Sequence, residues 1–376
     1  MDTDKILLYA SVFVMMGLSD AAIPVLPELA AADHIHYGPI ASSLLFSSYF
    51  LGALVTMLPF GILAVRYGNL RFIFLGVFLT VISGSLIMLS NNMWIISIAR
   101  FIEGSACGAF FPAAFSMLSE FKNRNRCMGE FTFLLNAGLA TGVAISGLLA
   151  KNNIKSGILI FTIASGIVLA LALPKFVHAK PLITKHSRPK QLHGNIREEI
   201  SIEIKKTIST LFDSRFINIW ILSFILFGST GVLVAFYPDY SAGILTKTEL
   251  GATIAGLYVS AMITSLVVSR SFIGYNTMIR AGMGISAIGA LIAIQHPLPG
   301  FIILGAGSGV AMVGLPIAAS HMDADRGLAM GLFNTCTYGG LAIMPLITGA
   351  FIGQFGFELI FYANALILGA SVLLRK

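Results

Sequence analysis

Apolar residues in this chain run in long unbroken stretches separated by short polar turns. The stretches are about 18–25 residues long, the length a helix needs to cross a bilayer. They do not alternate with period two, which argues against a membrane β-barrel. A spanning segment must satisfy its own backbone hydrogen bonds, and that leaves the helix. Twelve spans are predicted, over 5–30, 39–64, 71–90, 93–119, 127–150, 156–174, 214–240, 250–269, 277–295, 299–320, 327–352 and 356–374. The expected fold is all-α and integral to the membrane.

One segment breaks the pattern. Residues 175–213 are polar and basic, and they divide the chain into a first bundle (1–174), a linker (175–213) and a second bundle (214–376). Within the linker, Ile196, Ile200, Ile204, Ile208 and Leu211 share one helical face, with Lys205 and Lys206 off it. That reads as an amphipathic helix on the membrane surface, or as a solvated linker with some helix. The halves also resemble each other. At a spacing of 202 residues, Arg124, Met128, Gly129, Phe131, Gly138, Leu139, Ala140 and Gly147 recur as Arg326, Met330, Gly331, Phe333, Gly340, Leu341, Ala342 and Gly349. The expectation is two pseudo-symmetric six-helix bundles.

Charge gives the orientation. The net charge is +7, but the basic residues collect in loops on one side of the membrane, which argues against a nucleic-acid partner. Arg66, Arg71, Lys122, Arg124, Arg126, the linker, Arg270, Arg280, Arg326, Arg375 and Lys376 lie on the side of the termini; Lys151, Lys155 and Lys247 lie opposite. By the positive-inside rule both termini are cytoplasmic. The first apolar run is too long for a cleavable signal peptide and lacks a cleavage site. Three cysteines in or beside apolar runs make no disulfide framework. With 56% hydrophobic residues and a mean hydropathy of +0.87, the partner is the lipid bilayer.

Against that background Asp20 stands out, in the interior of the first span. A charge at such depth costs about 3 kcal/mol or more, so it usually faces a cavity. Arg100 and Glu103, three residues apart on span 4, are spaced to pair. Counting 1.5 Å per residue puts all three groups at similar depth in the outer half. A carboxylate–arginine–carboxylate cluster that titrates is one reading; a static Arg100–Glu103 pair that aids packing is the other. Gly104 and Gly108, and Gly138, Gly142 and Gly147, form small-residue faces that permit close helix contact.

These residues carry a resemblance to the major facilitator superfamily along the whole length. The loop Gly61-Ile-Leu-Ala-Val65-Arg66-Tyr-Gly68-Asn-Leu-Arg71 is similar to the family's gating loop between spans 2 and 3, with Gly61, Arg66, Gly68 and Arg71 in place and Val65 where the family has Asp. Arg100 with Gly104 and Gly108 is similar to the pattern linked to proton coupling, and Glu103 replaces a more usual Gln. Gly17-Leu18-Ser-Asp20-Ala-Ala-Ile-Pro24-Val-Leu-Pro27 resembles the span 1 motif of twelve-span drug:proton antiporters. The span 5 antiporter motif is matched in part, since Val143 stands where it has Pro.

The resemblance implies a proton-coupled secondary transporter exporting small amphipathic or cationic compounds, working as a monomer in the cell membrane with no cofactor beyond the proton gradient. Asp20, Arg100 and Glu103 would couple protons. Asn136, Phe46, Tyr49, Phe227, Tyr237 and Asp239 are candidates for the substrate cavity, although an interfacial Asp239 and lipid-facing or packed aromatics are plainer readings, and a hydrogen bond from Asn136 to a neighbouring helix is an equal one. Alternatives are a proton-coupled importer or facilitator of a small metabolite, and a non-transporting membrane sensor. No Walker loop, no spaced Cys/His metal set and no nucleophile–base constellation is present in the sequence, which argues against an ATP-driven pump, a metalloprotein and an enzyme. Glu28, Asp33, His34 and His36 read as solvated groups at the outer mouth, and Glu130 as an ion pair with Arg124 and Arg126.

Overall fold

The computed structural model describes residues 2–31, 38–121, 123–178, 217–320 and 326–374. The linker's amphipathic face, Lys122, Asp33, His34, His36, Arg375 and Lys376 lie outside them. Among the described residues all regular structure is helical. Helix α1 is Asp2–Ala21, extended by a 3-10 turn at Ile23–Val25 and a short helix at Leu26–Ala30. Then come α2 (Pro39–Tyr67), α3 (Asn69–Leu89), α4 (Met93–Ser119), α5 (Arg124–Leu149) and α6 (Ser156–His178). The second half holds α7 (Ile217–Tyr240), α8 (Lys247–Val268), α9 (Tyr275–Gln295) and α10 (Pro297–Ser320).

The final stretch, Arg326–Ser371, is two spans. Its 46 residues bend at Gly356, whose φ of 75° leaves the helical region, and a straight helix of that length would far exceed the bilayer core. We label the part before Gly356 α11 and the part after it α12. The twelve predicted spans are all present. Their ends move by a few residues: α8 starts at Lys247 rather than 250 because Thr246 and Glu249 form a capping box.

The break in α1 has a local cause. Pro24 and Pro27 lack the amide hydrogens that would continue the ladder, so the chain turns through a 3-10 segment three residues beyond Asp20. Non-helical backbone at membrane depth is tolerated where it is buried in protein or lines a cavity. Here Ile23, Pro24 and Val25 are all buried.

Contacts between helices repeat from one half to the other. Gly138 of α5 lies against the Phe13 carbonyl and Gly17 amide of α1; Gly340 of α11 lies against the Phe224 carbonyl and Gly228 amide of α7. Gly104 and Gly108 of α4 sit on Tyr49 and Thr56 of α2; Gly305 and Gly309 of α10 sit on Leu257 and Thr264 of α8. Gly76 of α3 meets Ala106 and Phe110 of α4; Gly282 of α9 meets Gly307 and Ala311 of α10. At each position a methyl group would overlap the facing helix, so the absence of a side chain sets the spacing.

The halves meet through α5 on α8 and α2 on α11. On the side away from the termini they are tightly joined. Gly147 lies on Gly251 and the Lys247 carbonyl, and Gly349 lies on Ser43. Lys247 Nζ pairs with Glu28 at 2.7 Å and donates to the Pro24 carbonyl at 2.8 Å. On the terminal side the symmetry-related Gly129 and Gly331 have no neighbour within 4 Å of where a Cβ would stand. Among the described residues, the glycine-seated contacts between the halves gather on the far side.

This contrast predicts mutational outcomes. Gly138→Leu and Gly340→Leu should each destabilise by about 1–3 kcal/mol or more through overpacking, seen as lowered melting temperatures in detergent. Gly129→Leu and Gly331→Leu should leave melting near that of the parent. Equal melting of all four variants would refute the contact map.

Candidate functional site

The buried polar residues of the first half converge where α1, α3 and α4 meet. Asp20, Arg100 and Glu103 are 4%, 1% and 1% exposed. Arg100 Nη1 donates to Glu103 Oε2 at 2.8 Å and to the Ser19 carbonyl at 3.0 Å. The second bond puts Arg100 level with Asp20, the depth match expected from counting residues. Ser83 of α3 also donates to Glu103 Oε2, at 3.3 Å. The Arg100 guanidinium lies over the Tyr49 ring, 4.7 Å from its centroid, and this contact disperses the cation over an aromatic face.

Asp20 is held differently. Its Oδ1 accepts a long 3.5 Å bond from Ser19. Its Oδ2 has no partner, and among the described residues Arg100 is ion-paired with Glu103 and not with Asp20. Tyr258 of α8, across the junction of the halves, faces the Asp20 carboxylate. Glu103 Oε1 and Arg100 Nε are also without partners. Orphaned buried polar atoms cost about 1–3 kcal/mol each. The cluster therefore gains if a proton or a polar ligand group arrives. With both carboxylates ionised its formal charge is −1, which favours a cation.

An aromatic wall adjoins the cluster. Tyr49 packs edge-on to Phe50 at 4.8 Å, Phe46 lies tilted against Phe50 at 4.9 Å, and Phe50 reaches Tyr338 of α11 at 6.1 Å. The wall crosses from one half to the other. The Tyr49 hydroxyl also contacts the Cys107 sulfur at 3.1 Å.

The other candidates are dispersed. Phe227 packs edge-on to Phe333 within the second half, 6.2 Å away. Tyr237 is fully buried, donates to the Ala293 carbonyl at 2.5 Å and packs on Phe301 at 4.6 Å. Asn136 turns back to donate to the Thr132 carbonyl of its own helix at 2.9 Å. Asp239 stands at the far-side junction facing Ser42 and Lys247, and its Oδ2 has no partner.

In the loop between α2 and α3, Gly68 takes a φ of 99°, open to glycine at little cost. Gly61 contacts Pro112 of α4. Arg66 lies over Tyr67, 5.8 Å from its centroid, Arg71 is exposed, and Val65 is 71% exposed. Asn69 ties this end of α3 to Ser116 of α4 at 2.8 Å. Gly142 lies on the Gly17 carbonyl and Gly147 on α8. Glu130 pairs with Lys5 at 2.6 Å and Arg126 at 2.8 Å.

Sequence reasoning missed Tyr258, Tyr338 and the pairing of Glu28 with Lys247. Tyr258 and Tyr338 lie in the second half, and no sequence spacing relates them to Asp20 or Phe50. Glu28 and Lys247 read separately as a solvated group and a topology marker. Two charges of opposite sign at the same mouth were the available signal for their pairing.

Comparisons with known proteins agree with this architecture. The family model for the Major Facilitator Superfamily matches residues 8–277 and 219–375. Multi-drug resistance efflux pump PmrA of Streptococcus pneumoniae is 25% identical over 335 residues, covering 83% of this chain and 79% of that protein. Multidrug resistance protein 2 of Bacillus subtilis is 22% identical, covering 64% and 60%. A putative inorganic phosphate cotransporter of Drosophila melanogaster is 31% identical over 147 residues, covering 36% of this chain and 28% of its own length. The chain thus spans less than two thirds of the fly and Bacillus proteins. Among solved structures, the nucleoside transporter NupG (D323A mutant) superposes with a TM-score of 0.78 over 98% of both chains at 13% identity, a likeness of fold. Family match, twelve spanning helices among the described residues and fold together make this chain a member of the major facilitator superfamily, a multi-pass membrane protein.

Proposed function

We propose that this transporter exports small amphipathic or cationic compounds in exchange for protons. Its two bundles, 1–174 and 214–376, would rock about the cluster by alternating access. The observation that carries this reading is the buried Asp20 carboxylate with an unpartnered oxygen, at the junction of the halves. A buried carboxylate without a full set of partners is stabilised either by a proton or by a cation. The two occupants then exclude each other, which is the requirement for exchange. The similarity to PmrA and to Multidrug resistance protein 2 supports the substrate class. A phosphate substrate, as named for the fly relative, fits less well, because Arg100 is already engaged by Glu103.

With the termini cytoplasmic in the cell membrane, the terminal side would face the cytoplasm and, once open, admit substrate to the aromatic wall. Return through the opposite state requires the Glu28–Lys247 pair to part. A proton taken up outside neutralises Asp20, removes its attraction for the cation and releases the substrate. Each proton moved inward gains about 2.3 kcal/mol per 100 mV, enough for roughly fiftyfold accumulation. One copy of the chain holds the whole cluster, so a monomer suffices.

Two measurements test the scheme. In liposomes with an internal pH-sensitive dye, substrate-dependent proton flux should vanish in Asp20→Asn, while substrate binding persists at reduced affinity. Unchanged flux in both Asp20→Asn and Glu103→Gln would remove the proton-site assignment. For the gate, a cysteine at Ser42, fully buried at the far-side junction, should react slowly with a membrane-impermeant maleimide. The native Cys107, Cys127 and Cys336 are buried and add little background. Glu28→Gln should speed labelling about two- to fivefold, since a half-exposed ion pair contributes up to about 1 kcal/mol. No change in labelling would show that the pair does not hold the far side closed.

A further inference from the structure

The repeat relating the halves produces two equivalent cavities at the terminal side, and they have different linings. The cavity of the first half lies between α1, α3 and α6 and holds about 10 Å³. Its mate lies between α7, α9, α10 and α12 and holds about 70 Å³. The glycine contacts described above place Gly17 opposite Gly228 and Gly76 opposite Gly282 in the repeat. Carried along the same helices, this register pairs Leu7 with Asn218, Leu70 with Asn276 and Phe74 with Arg280. Both members of every pair line their cavity. Three apolar positions in one half are therefore an amide, an amide and a guanidinium in the other.

Depth in the membrane does not account for this difference, because the two cavities lie at the same level in repeated folds. Arg280 itself has no ion-pair partner among the described residues and is exposed. The larger volume is roughly five times what one water needs, enough for a tetrahedral anion. A guanidinium fork flanked by amides is suited to phosphate oxygens. The rim is apolar: Leu374 lines it, Leu373 is 81% exposed, and Phe272, just before α9, is fully exposed. Arg375 and Lys376 follow directly in sequence. A polar, cationic pocket with an apolar rim at the bilayer surface has the chemistry of a lipid headgroup site.

We propose that the cavity formed by Asn218, Asn276 and Arg280 holds the phosphate headgroup of an anionic lipid from the leaflet on the terminal side. The acyl chains lie along the apolar rim. The site is separate from the Asp20 cluster, and it stands whether or not proton exchange is the transport mode.

Native mass spectrometry of the full chain in detergent tests this, with phosphatidylglycerol, phosphatidylcholine and inorganic phosphate as probes. The expected result is a phosphatidylglycerol adduct that exceeds the phosphatidylcholine adduct. It should weaken at least fivefold in the double variant Arg280→Phe, Asn276→Leu, which copies the first half's lining. Arg280→Gln, an exposed change that leaves packing alone, should weaken it as well, and Arg280→Lys should retain part of it. Melting temperatures confirm that each variant is folded. Equal adducts in the parent and in Arg280→Gln would overturn the proposal, as would equal binding of the two lipids. Displacement of the lipid by millimolar inorganic phosphate would assign the pocket to free phosphate and overturn the lipid assignment.

Discussion

Close approach of helix backbones is the constraint on which this structure rests. In a bilayer the lipid tails are as apolar as leucine, so burying apolar side chains between helices gains little. What remains is contact at short range, and a glycine allows it. Gly104 on Tyr49, Gly138 on Phe13 and their counterparts Gly305 and Gly340 bring pairs of helices together in both halves. The pairs then share neighbours and build a bundle. The same contacts place the chemistry. Because Gly104 abuts the Tyr49 backbone, the Tyr49 ring is brought over Arg100, and Glu103, next to Gly104, comes within reach of Ser83.

The charged cluster illustrates how a costly group is kept. Arg100 is almost fully buried, and its charge is met by Glu103, a backbone carbonyl and an aromatic face. Removing one partner of such a pair costs about 3–5 kcal/mol, so Arg100 and Glu103 hold each other in place. Asp20 lacks such a partner and keeps an oxygen unmet. Within one cluster the structure thus separates a fixed pair from a group left open to an occupant.

Much of this was readable from the chain. Continuous apolar runs fixed the spans because each must be helical in lipid, and the repeat at 202 residues identified Gly138 with Gly340 before any contact was known. Equal depth of Asp20 and Arg100 followed from helical rise alone. The start of α8 was misplaced although Thr246 and Glu249 carry the spacing of a capping box, a signal that hydropathy overlooks. Other features had no local signal. That Tyr258 faces Asp20 depends on how two halves dock, and docking is set by shapes spread over many helices. Tyr237 and Asn136 read as cavity candidates because hydropathy reports burial without direction, and the fold turns one onto Ala293 and the other onto Thr132.

The Glu28–Lys247 pair also bears on timing. Its side chains are 30% and 27% exposed, so water and salt weaken it to about 1 kcal/mol or less. A fastener of that strength biases two conformations by about fivefold and leaves the minor one populated without any ligand. Opening of the far side would then be limited elsewhere, in the glycine-seated contacts between α5 and α8, which must separate as a surface, and raising the ionic strength on that side would weaken the pair alone.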